Sequence, residues 1–293
     1  MSAHGTSPPA PQALSPTREA IAMFVRRRAA IAGLVLLALI VGVSLIGPVV
    51  YDADPFDIAA APLTPPGTSE AWLGSDQQGR DVLTGLVYGG RATLAVGATA
   101  AGIAVLIGVT IGALAGFFGG IVDEMLMRVA EFFQVLPALL FAMVLATLFS
   151  PSLIVIALAI GVVSWPPTAR LTRAEFLKLR ELDFVAAERV IGASTGRILW
   201  KVILPNALPP LIVSATFAIG TAILFEASLS FLGLGDPNRM SWGLMIGSGR
   251  SYMLTCWWAV TFPGLMIFLT VLAISLIGDG LNDALNPKLR ERR

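Results

Sequence analysis

Long uncharged runs alternate with short charged ones along this chain. Ala29–Val50, Ala92–Val122, Phe132–Ala169 and Val202–Phe225 contain no Asp, Glu, Lys or Arg. At about 1.5 Å per residue, 20 apolar residues in a helix cross a hydrocarbon core of about 30 Å, so the first two runs predict one span each. The third is 38 residues long, too long for one crossing, and Ser150-Pro151 breaks it, which predicts a hairpin of two spans. Asn206 to about Leu232 and Ser251 to Gly278 make the fifth and sixth. The expected fold is all-α, six transmembrane helices with a helical loop between spans four and five. The corresponding division is a tail at 1–28, a first helix at 29–51, a loop at 52–90, a core at 91–281 and a second tail at 282–293. Gly97, Gly102, Gly108, Gly112 and Gly116 recur along the second run, a spacing that allows close helix approach in lipid.

The insert between the fourth and fifth spans breaks this pattern. Arg170 to Lys201 holds seven basic and four acidic residues in thirty-two positions. Leu171, Phe176, Leu179, Leu182 and Val185 recur every three to five positions within it, which predicts helices with one buried face. DFVAAERVIGAST reads as a short helix ending at Gly192, with Ser194 or Thr195 capping the next. Pro205 is expected to re-aim the chain into the fifth span.

Composition agrees with a polytopic membrane protein: 56% of residues are apolar and 13% charged, against about a quarter charged in soluble domains. Residues 1–16 carry four prolines without apolar periodicity and are expected to be a disordered tail. The run after Arg26, Arg27 and Arg28 is longer than the apolar region of a signal peptide, and GPVVYDADP lacks a cleavage pattern, so the run is expected to stay as an anchor. Residues 51–90 carry Pro55, Pro62, Pro65 and Pro66, which predicts an irregular exposed connection. With six spans both termini share one side. That side collects sixteen of the twenty Lys and Arg, which assigns the termini and the insert to the cytoplasm.

Several chemistries are excluded. Lys178, Lys201 and Lys288 follow Leu, Trp and Pro, so no phosphate-binding loop is present. A single histidine, His4, and a single cysteine, Cys256, leave no zinc cluster, no His-based triad and no internal disulfide. No Gly-x-Ser-x-Gly elbow occurs. No metal, cofactor or nucleic acid is expected; the surrounding partner is membrane lipid. Ion coupling by a secondary carrier needs charge within the spans, and Glu131, Glu226 and Asp279 are the few candidates. Glu226 lies toward the outer end of span five, where its roles are a functional charge or a structural hydrogen bond. Asp76, Arg80 and Asp81 either pair to order the long loop or are scattered solvated charges.

AAERVIG, nine residues, then VILPN resembles the cytoplasmic loop of ABC importer permeases, whose pattern is Glu-Ala-Ala, three residues, Gly, nine residues, Ile-x-Leu-Pro. Gly192, Leu204 and Pro205 fall on that pattern, with Val202 at the Ile position and Ala186 where the family has Glu. The resemblance implies a coupling helix that docks into a groove on an ATP-hydrolysing subunit, through Asp183, Ala186, Ala187, Glu188, Gly192, Ala193, Ser194 and Pro205. Asp183, within about 60° of Ala186 around a helix, is the better stand-in for the missing Glu, whereas Glu188 is on the opposite face. LGSDQQGRD, with Asp76, Gly79, Arg80 and Asp81, resembles the LGTDxxGRD stretch of peptide-importer permeases. EASLSFLGLG at 226–235, SWG at 241–243 and GDGLNDALNPKLR at 278–290 are similar to C-type permeases of dipeptide and oligopeptide importers, a family that also imports nickel and glutathione. The resemblance implies a non-enzymatic transport subunit in a bacterial plasma membrane. Its partners would be a homologous permease, two ATPases and an extracytoplasmic peptide-binding protein, working by alternating access. The competing class is an ATP-independent carrier or channel.

Overall fold

The structure, a computed structural model, describes residues 16–285. The disordered tail expected at 1–16 lies, but for Pro16, outside the described residues, as does the basic KLRERR end. Twelve α-helices follow one another among the described residues, with no strand and two isolated β-bridges in the loop before the third helix. They are α1 (Pro16–Arg26), α2 (Arg28–Val50), α3 (Val82–Phe118), α4 (Gly120–Val135), α5 (Ala138–Thr147) and α6 (Leu153–Ser164). Then come α7 (Pro166–Leu179), α8 (Asp183–Val190), α9 (Thr195–Arg197), α10 (Leu204–Phe231), α11 (Trp242–Gly249) and α12 (Trp258–Leu285).

Among the described residues, four helical runs are long and apolar enough to cross a membrane: α2, α3, Thr195–Phe231 and α12. Two bent pairs, α4 with α5 at 85° and α6 with α7 at 43°, are candidates for two more, for up to six in all. The hairpin between spans three and four turns at Ser150-Pro151, as expected. Its arms, however, are broken at Pro137 and Trp165-Pro166, where proline supplies no amide to an upstream carbonyl. Neither α5, ten residues, nor α6, twelve, crosses a bilayer alone.

Helix ends also depart from the charge pattern. α3 begins at Val82, inside the stretch expected to be loop, because the Asp81 carboxylate accepts hydrogen bonds from the amides of Leu83 and Thr84 and caps the helix there. Arg91 therefore sits within α3, where its guanidinium donates to the Ser44 and Leu45 carbonyls of α2. α12 begins at Trp258 rather than Ser251, because residues 252–256 close a turn onto the Tyr252 carbonyl.

α3 is the centre of the molecule and packs on α2, α6, α7 and α10. A Cβ on Gly108 or Gly116 would come within 2.8 Å of α7, and one on Gly97 would reach Ile223 of α10 at 2.5 Å. The glycine stripe is thus an interface, except at Gly102, which has open space. Arg27 pairs with Asp283, tying the start of α2 to the end of α12.

Candidate functional site

The insert folds as a compact unit at one end of the bundle. Val185 of α8 is fully buried with Phe176, Leu179, Ile198, Leu199 and Ile203, so these apolar residues form its inner face. Leu182, expected in that face, is exposed instead. Two arginines of α7 and its C-terminus fasten the unit to the bundle. Arg173 pairs with Asp123 of α4, and Arg180 donates to the Gly116 carbonyl at the end of α3 at 2.9 Å. Gly119 and Gly120, with φ of +67° and +53°, form the turn beneath them.

α8 ends where the sequence indicates. Gly192 adopts φ +81°, the left-handed region that glycine enters without strain, and the Ala193 amide returns to the Glu188 carbonyl at 3.0 Å. The Ser194 hydroxyl accepts from the Arg197 amide and caps α9. Pro205 does not redirect the chain. Residues 198–203 form a π-helical turn, the Leu204 amide reaches back five residues to Leu199, and the run continues unbroken from Thr195 to Phe231. A proline just inside α10 has no amide to satisfy, so it fits without a change of direction.

Asp183, Ala186 and Ala187 are exposed on α8. Glu188 faces inward, its side chain 25% exposed and 3.4 Å from Arg197. The most exposed apolar residues of the unit are Val190 at 88% and Ile191 at 73%, which the sequence reading did not single out. Their signal was present: with Val185 on the buried face, positions five and six residues on are rotated about 140° and 240° away from it.

At the opposite end, Asp76, Gly79, Arg80 and Asp81 do order the loop, but not by pairing; no ion pair joins them among the described residues. Asp76 accepts from the Gln78 and Arg80 amides, Gly79 with φ +81° receives the Ala59 and Ala60 amides on its carbonyl, and Arg80 stacks 4.8 Å over Phe56.

Glu226 is fully buried in α10. Its Oε1 accepts from the Ser230 and Ser241 hydroxyls at 2.9 and 2.8 Å, while Oε2 has no partner. Ser241 also caps α11, and the next residue, buried Trp242, donates its amide to Thr93 Oγ1 and its indole N–H to the Leu86 carbonyl. EASLSFLGLG and SWG are therefore one structural unit, which clips α11 to α3 and α10. Glu131 and Asp279 are exposed, and the structure brings neither to Glu226.

Residues 108–291 match the family described as "Binding-protein-dependent transport system inner membrane component", and residues 15–66 match "N-terminal TM domain of oligopeptide transport permease C". Among similar proteins, the "Di/tripeptide transport system permease protein DppC" of Pseudomonas aeruginosa is 41% identical over 94% of this chain and 93% of its own length. The "Oligopeptide transport system permease protein OppC" of Bacillus subtilis is 35% identical over 96% of this chain and 92% of its own. A solved structure of the MetNI methionine ABC transporter in an inward-facing conformation shares the fold, with a TM-score of 0.58 and 22% identity over 69% of this chain and 96% of that one.

Proposed function

This chain belongs to the family of binding-protein-dependent transport system inner membrane components, and on that premise we propose that it is the C-type membrane subunit of an ATP-driven importer of di- or oligopeptides. The observation that carries the reading is the insert: a helix whose inner face is buried and whose outer face offers Asp183, Ala186, Ala187, Val190 and Ile191 to a partner. That face is apolar with one acid at the helix start, the form of an amphipathic helix docking into a groove.

The partners in this reading are a homologous permease, two ATP-binding subunits that hydrolyse the nucleotide, and an extracytoplasmic peptide-binding protein. The sixteen-to-four division of basic residues supports a cytoplasmic insert and cytoplasmic termini. ATP-driven closure of the ATPase pair moves α8. The Arg173–Asp123 and Arg180–Gly116 contacts pass that motion to α4 and α3, and the path between the permeases changes the side to which it opens.

The test is Ile191→Asp, which places a charge in the docking face without touching the buried one. Co-purification of the ATPase subunits and peptide uptake should both fall, while the subunit itself still inserts. Uptake and co-purification at the native level would refute the docking surface. Cysteines introduced at Ser69 and Ser194 test orientation: an impermeant reagent applied to intact cells should label the first and not the second.

A further inference from the structure

A cavity of about 440 Å³ opens where the two bent spans break, within the range of about 300–1,000 Å³ usual for small-molecule sites. Leu136 and Pro137 line it from the α4–α5 break, Ser164 and Pro166 from the α6–α7 break, and Ser214 and Thr221 from α10. Counting at about 1.5 Å per residue, both breaks and Thr221 lie about 15–18 Å from the ends of α5, α6 and α10 near the SWG unit, close to the middle of a core of about 30 Å. Measured along these helices, the cavity is thus about half a core thickness from the SWG unit.

Its chemistry is unlike that of two pockets at the SWG end, which are lined by charged residues such as Asp76, Arg80, Asp81 and Arg239. No residue lining this cavity is charged. Its polar side chains are the Gln134 amide, whose Oε1 accepts from Arg170 at 2.7 Å, and the hydroxyl residues Ser164, Thr168, Ser214 and Thr221. Pro137, Pro166 and Pro167 have no N–H, so the carbonyls of Phe133, Val162 and Val163, four residues upstream, lack the donor a continuous helix would supply. Phe133 and Val163 are themselves on the cavity wall. Interrupted backbone at this depth is tolerated where it faces a cavity, and freed groups there bind substrate.

Resting on the reading of this chain as a peptide permease, we infer that this cavity is a way-station that holds the main chain of a short peptide. Amide N–H groups of the peptide donate to the freed carbonyls, and its carbonyls accept from the Gln134 amide and the Ser214 hydroxyl. Apolar walls of Phe217, Phe225 and Ala218 receive side chains without selecting among them. A site that grips only what all peptides share suits cargo of varied sequence.

The experiment uses the assembled importer in vesicles, with trialanine as probe. Wild-type uptake of trialanine is measured first; its absence overturns the peptide reading and this site with it. Thr221→Cys is then labelled with a small thiol reagent without binding protein. Trialanine at twice its dissociation constant should slow labelling about threefold, as the occupancy factor 1 + [L]/Kd requires. Trialanine with its amides N-methylated should not. Thr221→Trp, which fills the cavity, should abolish uptake while the ATPases still co-purify, and Leu106→Trp, on an exposed face of α3, should leave uptake intact. Wild-type uptake together with unprotected labelling, equal protection by the methylated peptide, or transport by Thr221→Trp equal to that of Leu106→Trp overturns the site alone.

Discussion

Arg173 holds Asp123 by both edges of its guanidinium, with Nε to Oδ1 at 2.5 Å and Nη2 to Oδ2 at 2.6 Å, across fifty positions of sequence. Asp123 is well shielded from water, so a two-pronged, charge-assisted pair here is more than a surface contact. Asp123→Asn should lower subunit stability by about 1–3 kcal/mol, the range for hydrogen bonds to charged groups, read as an earlier thermal transition of the purified complex. Combining Asp123→Arg with Arg173→Asp should recover part of the loss, whereas either reversal alone should be worse than Asp123→Asn.

The glycine interface between α3 and α7 predicts a position-specific pattern. Gly108→Val should prevent assembly, because its Cβ alone would lie 2.7 Å from the Thr168 side chain and 2.8 Å from the Trp165 carbonyl. Gly102→Val, six residues earlier with nothing within 4 Å, should assemble normally. Membrane yield of the two variants with their partner subunits decides it.

For Glu226, the unequal use of its two oxygens sets the expectation. Glu226→Gln keeps a carbonyl for Ser230 and Ser241, so it should assemble and transport close to the native level. Glu226→Ala strips both hydroxyls of their acceptor and leaves a void, at a cost of about 2–5 kcal/mol judged from buried truncations. Protease sensitivity of the 232–250 segment would report the loosened clip; a native digestion pattern for Glu226→Ala would contradict the structural role.

At the insert, Asp183→Ala should weaken ATPase capture more than Glu188→Ala, since Asp183 is exposed whereas Glu188 turns in toward Arg197. Gly192→Val should be worse than either, because a branched side chain at φ +81° costs about 1–2 kcal/mol and misplaces the end of α8. Pull-down of the ATPase with the three variants gives the order.

Cys256 offers a pH test. It is buried beside the Ser75 carbonyl, its Sγ donating there at 3.4 Å, and burial pushes the thiol up from its ordinary value. The native protein should therefore resist thiol reagents at pH 7 and react once unfolded. Its folded state binds this proton more tightly than the unfolded state does. The contribution to stability is therefore complete below the ordinary thiol value of about 8.5 and is lost as pH rises from there through the folded value. Cys256→Ser should flatten that alkaline slope.

The insert is legible in the sequence because two independent signals coincide there: charge returns in the middle of an uncharged region, and apolar residues keep a helical period that ends on Gly192. Ser194 is legible for a local reason, a capping side chain next to the amide it serves; Asp81 caps α3 in the same way, but the charge at Arg91 put the expected start of that helix too late. The breaks at Pro137 and Pro166 are not, because both lie inside a continuous uncharged run, and hydropathy measures greasiness rather than the supply of amides. Glu226 and Ser241 are separated by fifteen positions, and only the fold of the intervening loop brings them to 2.8 Å. Val190 and Ile191 were open to the periodicity argument once the buried face of α8 was identified with Val185.

α3 is 37 residues long, about 55 Å of continuous helix, nearly twice the thickness of a hydrocarbon core. It is keyed into α7 by Gly108, Gly112 and Gly116 at one end and fixed to Trp242 at the other. A beam fastened in this way works as a lever: a tilt of about 5° about one end sweeps the other through about 5 Å. With no proline along its length, α3 keeps every donor of its backbone ladder and joins α7 to the SWG unit as one continuous helix.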